Sequence, residues 1–230
     1  MFIPTRDSTL RLKKPYVVYI LIVMNFLIFF YQATLPSGSY AEWFGRLGVV
    51  PAHLFQNGIL ASLIPFFTSL FLHGGFAHLG GNMLYLWIFG DNIESTLGHF
   101  RFFIFYFACG IIASLTQVMF NPASEAPIIG ASGAISGILG AYLIRYPRAK
   151  IQILFWVIIF FQRFWIPAVY VLGIWFAIQL SNGLGALTFR QQGGVAWFAH
   201  IGGFISGIAL LLWMEPYERK RLWKQLNRNY

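Results

Sequence analysis

Two side chains stand out because their chemistry does not suit the residues around them. His200 lies inside the apolar run 195–213, and Ser132 opens another apolar run in Gly130-Ala131-Ser132-Gly133. An imidazole at bilayer depth is costly to bury and marks a functional site whose partner must be found. A serine at the start of one apolar segment and a histidine within another form the pair needed for a nucleophile and its general base. His78 and Asn82 are four residues apart and therefore point to one face of a third apolar segment.

The elements that must position these groups are membrane spans. The chain has 230 residues, 58% of them hydrophobic and 10% charged, whereas soluble domains carry about 25% charged residues. The length accommodates about six spans of roughly 20 residues with short loops, arranged as one membrane domain over 1–230. Apolar runs place the spans at 16–33, 76–93, 102–120, 132–144, 165–181 and 195–214, followed by a basic tail at 215–230. The fold class expected is an all-α polytopic bundle. The run 61–72 is too short to cross and is expected to lie at the interface or dip partway in. The stretch 151–181 is long for one span and short for two. Pro167 suits the first turn of a helix, so the fifth span is begun near Trp165.

Charge sets the orientation. Six spans with the N-terminus inside place fourteen of the sixteen Lys and Arg residues on the cytoplasmic side, with only Arg46 and Arg190 outside. Both termini are then cytoplasmic. The net charge of +9 lies beside apolar runs at the chain ends and in one internal turn, which argues for membrane anchoring and against nucleic acid. The basic stretch before Pro15 is read with 16–33 as a retained first span, not a cleaved signal. The single cysteine, Cys109, excludes a disulfide framework. No cofactor or metal is expected: His73 and His78 are five apart, a poor fit to one helical face, and no matched pair of histidines stands on a facing span. The absence of an internal repeat argues against a transporter.

Depth can be counted along the spans. Ser132 lies thirteen residues before Arg145, His78 thirteen before Asp91 and His200 fourteen before Met214. Helices ending at similar heights would set all three side chains at one level. The fourth span has thirteen residues and rises only about 20 Å against a hydrocarbon core of about 30 Å. The loop before Ser132 must therefore dip inward, which irregular backbone does only where protein or a wet cavity surrounds it. A hydrolase needs such a cavity. Small residues at Gly133, Gly137, Gly203 and Gly207 permit close approach of the fourth and sixth spans.

The segments Gly130-Ala131-Ser132-Gly133, Ala199-His200-Ile201-Gly202-Gly203 and His73-Gly74-Gly75-Phe76-Ala77-His78-Leu79-Gly80-Gly81-Asn82 together resemble the rhomboid family of intramembrane serine proteases. The resemblance implies Ser132 as nucleophile and His200 as general base. It also implies His78, Asn82 and the backbone N–H of Ser132 as oxyanion-stabilising groups, with His73 and Glu94 as scaffold. Membrane-protein substrates, entering on the side formed by spans 2 and 5 with the first loop, are what such a protein would cut. The seven acidic residues offer no mid-span partner for His200, so a dyad is expected in place of a Ser-His-Asp triad. Ser136 stands where some members carry an aromatic packed on the histidine, which leaves Trp197 or a hydrogen bond to orient His200. The alternative is a catalytically silent relative that binds client proteins. Compactness and charge bias suggest a bacterial cytoplasmic membrane.

Overall fold

The structure, a computed structural model, describes residues 2–9, 13–57, 63–157, 160–188 and 194–215. Arg11, Arg190 and the basic tail from residue 216 onward lie outside the described residues. The elements run in the order β1 (Phe2–Asp7), α1 (Tyr16–Ala33), α2 (Tyr40–Leu47), α3 (Pro51–Asn57), α4 (Leu63–Thr68), α5 (Phe76–Leu97), α6 (His99–Phe120), α7 (Ser132–Arg145), β2 (Lys150–Val157), β3 (Phe160–Pro167), α8 (Ala168–Thr188) and α9 (Trp197–Met214). The chain is mostly helical, and it is a multi-pass integral membrane protein. Among the described residues, four helices, α1, α6, α8 and α9, are each long and apolar enough to cross a membrane. A short 3-10 turn at Ser69–Phe71 follows α4, and this unit meets α5 at 91°, giving a fifth candidate as one bent span.

The helix α7 has 14 residues, about 21 Å at 1.5 Å per residue, and is too short to cross by itself. Its setting explains why. Gly133 to Tyr142 are all buried, and α5, α6, α8 and α9 all pack against it. A helix apolar all round and enclosed by others has no lipid thickness to match. Close approach comes from its glycines. A Cβ placed on Gly203 of α9 would run into the carbonyl of Gly133, one on Gly207 into Gly137, and one on Gly137 into Cys109 of α6. The small residues singled out in the sequence thus face one another across the α7–α9 contact, where only hydrogen in place of a side chain fits.

Helix boundaries follow local chemistry. Gly98, at φ 84°, closes α5 and opens α6, a left-handed turn that glycine adopts without penalty. The carboxylate of Glu94 accepts the free N–H groups of Val17 and Val18 at 2.9 Å each, capping the start of α1, and takes a 2.5 Å bond from His99 Nδ1. This fits the scaffold role implied for Glu94. His73 is likewise held through its backbone, its carbonyl accepting from Gln32 Nε2 at 2.7 Å.

The all-α expectation requires a correction. β1, β2 and β3 form an antiparallel sheet in that order, with Asp7 opposite Ile151 and Ile151 opposite Ile166. The stretch 150–167 is rich in Ile, Phe and Trp, residues that favour a pleated, half-buried surface, and Ile151 and Ile153 both turn one face into the core. Because β3 pairs Trp165 with Gln152 and Pro167 with Lys150, α8 starts at Ala168 and runs to Thr188, not over 165–181. The N–H groups of Ala168 and Val169 are taken up by the carbonyls of Ala149 and Pro147, so the helix start is satisfied by the turn after α7. The other helices end within four residues of expectation; α5 extends to Leu97 and α6 begins at His99.

The sheet is fastened to the Arg145 end of the bundle by a buried acid. Asp7 Oδ2 accepts from Tyr142 Oη at 2.7 Å and Asn92 Nδ2 at 2.9 Å, and also bonds Thr9 Oγ1. An ion pair between Arg145 and Glu215, 2.8 Å apart, closes α7 onto the end of α9.

Candidate active site

The site is built at the opposite end of α7. The loop from Asn121 to Ala131 turns inward, held by paired bonds between Val49 and Ile128 and by the Gly130 N–H on the Ser69 carbonyl at 2.8 Å. Gly130 and Ala131 are buried. The end of the loop that leads into α7 is thus enclosed by protein. Gly130 has φ 109°, a left-handed conformation suited to glycine, and it also has no room for a side chain. A Cβ there would lie 2.7 Å from His78 Nε2 and 3.5 Å from Asn82 Nδ2.

Ser132 is the first residue of α7, and no side chain caps that helix start. Its first N–H groups therefore point outward from the positive end of the helix dipole. Ser132 Oγ lies 2.9 Å from Nε2 of His200 on α9, sixty-eight residues away in sequence. That is within the reach needed for proton transfer between a nucleophile and a base.

His78 and Asn82 supply two donors on the other side of Gly130. The Gly74 N–H donates to His78 Nδ1 at 3.3 Å, so a neutral His78 carries its proton on Nε2, the nitrogen facing Gly130. Asn82 Nδ2 is buried and has no hydrogen-bond partner among the described residues. An unsatisfied buried donor costs about 1–3 kcal/mol, and the natural acceptor for it is a group arriving beside Ser132. His73 stacks edge-on against His78 with ring centroids 5.0 Å apart. The structure thus brings Ser132 and His200 together, with His78 and Asn82 across Gly130 from them.

What orients His200 was open in the sequence. Ser136 does not touch the ring by stacking; its hydroxyl donates to the Ser132 carbonyl one turn back at 2.7 Å. Trp197 stands edge-on to the imidazole at 6.2 Å, and Trp175 of α8 lies 6.0 Å away. The hydrogen-bond partner is Gln179 on α8, whose Oε1 is 2.8 Å from His200 Nδ1. Gln179 is not a carboxylate, so a count of the acidic residues does not reach it. The available signal was a lone amide in an apolar run, which in a membrane helix calls for a partner as an ionisable group does.

A cavity of about 310 Å³ opens at this end, lined by Gln117, Asn121, Ser124, Ala196 and Trp197 among others. Gln117 Oε1 accepts the N–H groups of Phe198 and Ala199, at 3.0 and 3.2 Å, and so caps the start of α9 one residue before His200.

Comparison with known proteins gives a consistent family. A model of the rhomboid domain matches residues 60–216. The chain is similar to "Rhomboid protein 1, mitochondrial" of Saccharomyces cerevisiae, 33% identical over 160 residues, which is 67% of this chain and 43% of that protein. It is similar to "Rhomboid protease GluP" of Bacillus subtilis, 34% identical over 139 residues, covering 60% of this chain and 26% of the relative. It also resembles the human "Presenilin-associated rhomboid-like protein, mitochondrial", 28% identical over 169 residues, covering 70% and 39%. The matched region is less than half the length of each of these relatives. A bacterial cytoplasmic membrane, expected from charge and compactness, gains no support from relatives of which two are mitochondrial.

Proposed function

The chain belongs to the rhomboid family, and from that premise we propose that it is a serine endopeptidase cutting membrane-protein substrates within or beside their transmembrane segments. The observation that carries the reading is the 2.9 Å approach of Ser132 Oγ to His200 Nε2 at the start of a buried helix. In this reading His200 takes the Ser132 proton as the oxygen attacks the scissile carbonyl. The proton then passes to the leaving amine, and water, deprotonated by the same imidazole, releases the acyl group.

The negative charge that develops on the carbonyl oxygen needs donors in place beforehand. The Ser132 N–H, the unpartnered Asn82 Nδ2 and the Nε2–H of His78 are the groups proposed for it. Helical carbonyls are already bonded along their own helix, so a substrate segment must unwind locally before attack. Segments with Gly, Ala, Ser or Pro near the membrane surface are the expected substrates. The proposed topology has six spans in one domain, with α5 and the enclosed α7 completing those that qualify by length alone, and both termini on the cytoplasmic side.

The test is covalent labelling of the purified full chain by a fluorophosphonate. Label on wild type that is lost in Ser132→Ala and His200→Ala supports the reading. Absence of label on wild type across several lipids and detergents points instead to a silent client-binding relative.

A further inference from the structure

A base of this kind is useful only in one of its two neutral forms. His200 must keep its lone pair on Nε2, facing Ser132, and the form present is set by the bond that the other nitrogen makes. That bond goes to Gln179, and the orientation of the Gln179 amide is itself determined. Its Nε2 lies 3.3 Å from the carbonyl oxygen of Trp175, one turn earlier on α8. A carbonyl only accepts, so the donor end of the amide must be the end at Trp175. Oε1 is then the end at His200, 2.8 Å from Nδ1. An amide oxygen also only accepts, so Nδ1 must carry the proton and Nε2 is left free to receive one from Ser132. Reversing the amide would set two carbonyl oxygens against each other.

We propose that Gln179 is a positioning residue of the dyad: it fixes His200 in the Nδ1–H form and holds the ring toward Ser132. This rests on the function proposed above and adds to it a third, uncharged member supplied by α8. Gln179 occupies the place that an aspartate takes in a Ser-His-Asp triad, yet it avoids burying a carboxylate among apolar side chains, which is far costlier than burying an amide. It is 5% exposed, while Ile174, Ile178 and Leu180 around it face outward. The packing alternative is an amide that merely satisfies itself on its own helix. Such an amide would need the Trp175 carbonyl but not His200.

The test uses the full chain in proteoliposomes with three forms, wild type, Gln179→Met and Gln179→Glu, together with ¹⁵N-histidine spectra that report which ring nitrogen is protonated. Met keeps length and apolar bulk but cannot accept the bond; Glu keeps the acceptor. The expected result is a kcat loss of about 10- to 100-fold in Gln179→Met with KM little changed, and recovery of most of it in Gln179→Glu. His200 should give an Nδ1–H signal in wild type, assigned by its absence in His200→Ala, and lose it in the Met variant. The proposal is overturned if wild-type His200 carries its proton on Nε2, or if Gln179→Met keeps wild-type kcat. Equal losses in Met and Glu variants that both retain the Nδ1–H signal overturn it too, by making the role packing alone. A wild type that cleaves nothing defeats the proposed function, while the tautomer comparison still decides the role of Gln179.

Discussion

The backbone of Gly203 on α9 lies against the carbonyl of Gly133 on α7, with no room for a methyl group between them. Gly203 is three residues after His200, and Gly133 immediately follows Ser132. The spacing of the two helices at this contact therefore sets the distance between Ser132 and His200.

Gly203→Ala should consequently damage both stability and chemistry. A Cβ forced into this contact is expected to cost about 1–3 kcal/mol and to push Ser132 away from His200. Gly173→Ala on α8, where a Cβ meets nothing within 4 Å, should leave both unchanged. Thermal unfolding in detergent and fluorophosphonate labelling rate check the pair. Wild-type behaviour in Gly203→Ala would show that the contact can relax without moving the site.

Asn82→Ala removes a buried donor that has no partner among the described residues. Losing one preorganised oxyanion donor typically costs about 10²–10³ in kcat, and the same is expected here with KM little affected. Stability should rise or hold, because an unsatisfied group disappears. Steady-state kinetics with a membrane substrate and unfolding curves read the two effects separately. A drop in stability with unchanged kcat would make Asn82 a scaffold residue.

Tyr142→Phe should act on the other end of α7. It deletes the 2.7 Å bond to Asp7 and leaves the buried carboxylate with fewer donors, at an expected cost of about 1–3 kcal/mol. Ser132 is ten residues away on the same helix, so labelling at a temperature where the variant stays folded should match wild type. A denaturation series checks the first part, and labelling the second.

Glu94→Ala uncaps α1. The two 2.9 Å bonds to Val17 and Val18 and the bond from His99 are lost together, and about 2–4 kcal/mol of stability should go with them. Protease protection of the α1 region gives the readout. Glu94→Gln should recover part of it, since the amide oxygen accepts but carries no charge.

The parts of this molecule that were legible in the sequence are those where a residue contradicts its neighbours. A serine and a histidine in apolar runs, with glycines beside them, identified both side chains and the packing that brings them together. Helix positions followed from runs of apolar residues. The sheet was not legible, because Ile151 to Pro167 is as apolar as a membrane helix. β2 pairs with its neighbour β3 and with Phe2 to Asp7 far away in the chain, and composition marks neither pairing. Gln179 was missed for a related reason. An amide carries no charge to mark it, and its meaning comes from His200, twenty-one residues later, and from the Trp175 carbonyl.

We propose that Ser132 and His200 cut peptide bonds inside the membrane. Its most direct test reconstitutes the full chain in liposomes with a single-span substrate carrying a Gly-Ala-rich segment near one membrane face. The fragments are then sized by mass spectrometry. The expected result is one cut within or next to the span by wild type, and none above background by Ser132→Ala or His200→Ala. Cleavage that persists at the same bond in either variant would contradict it.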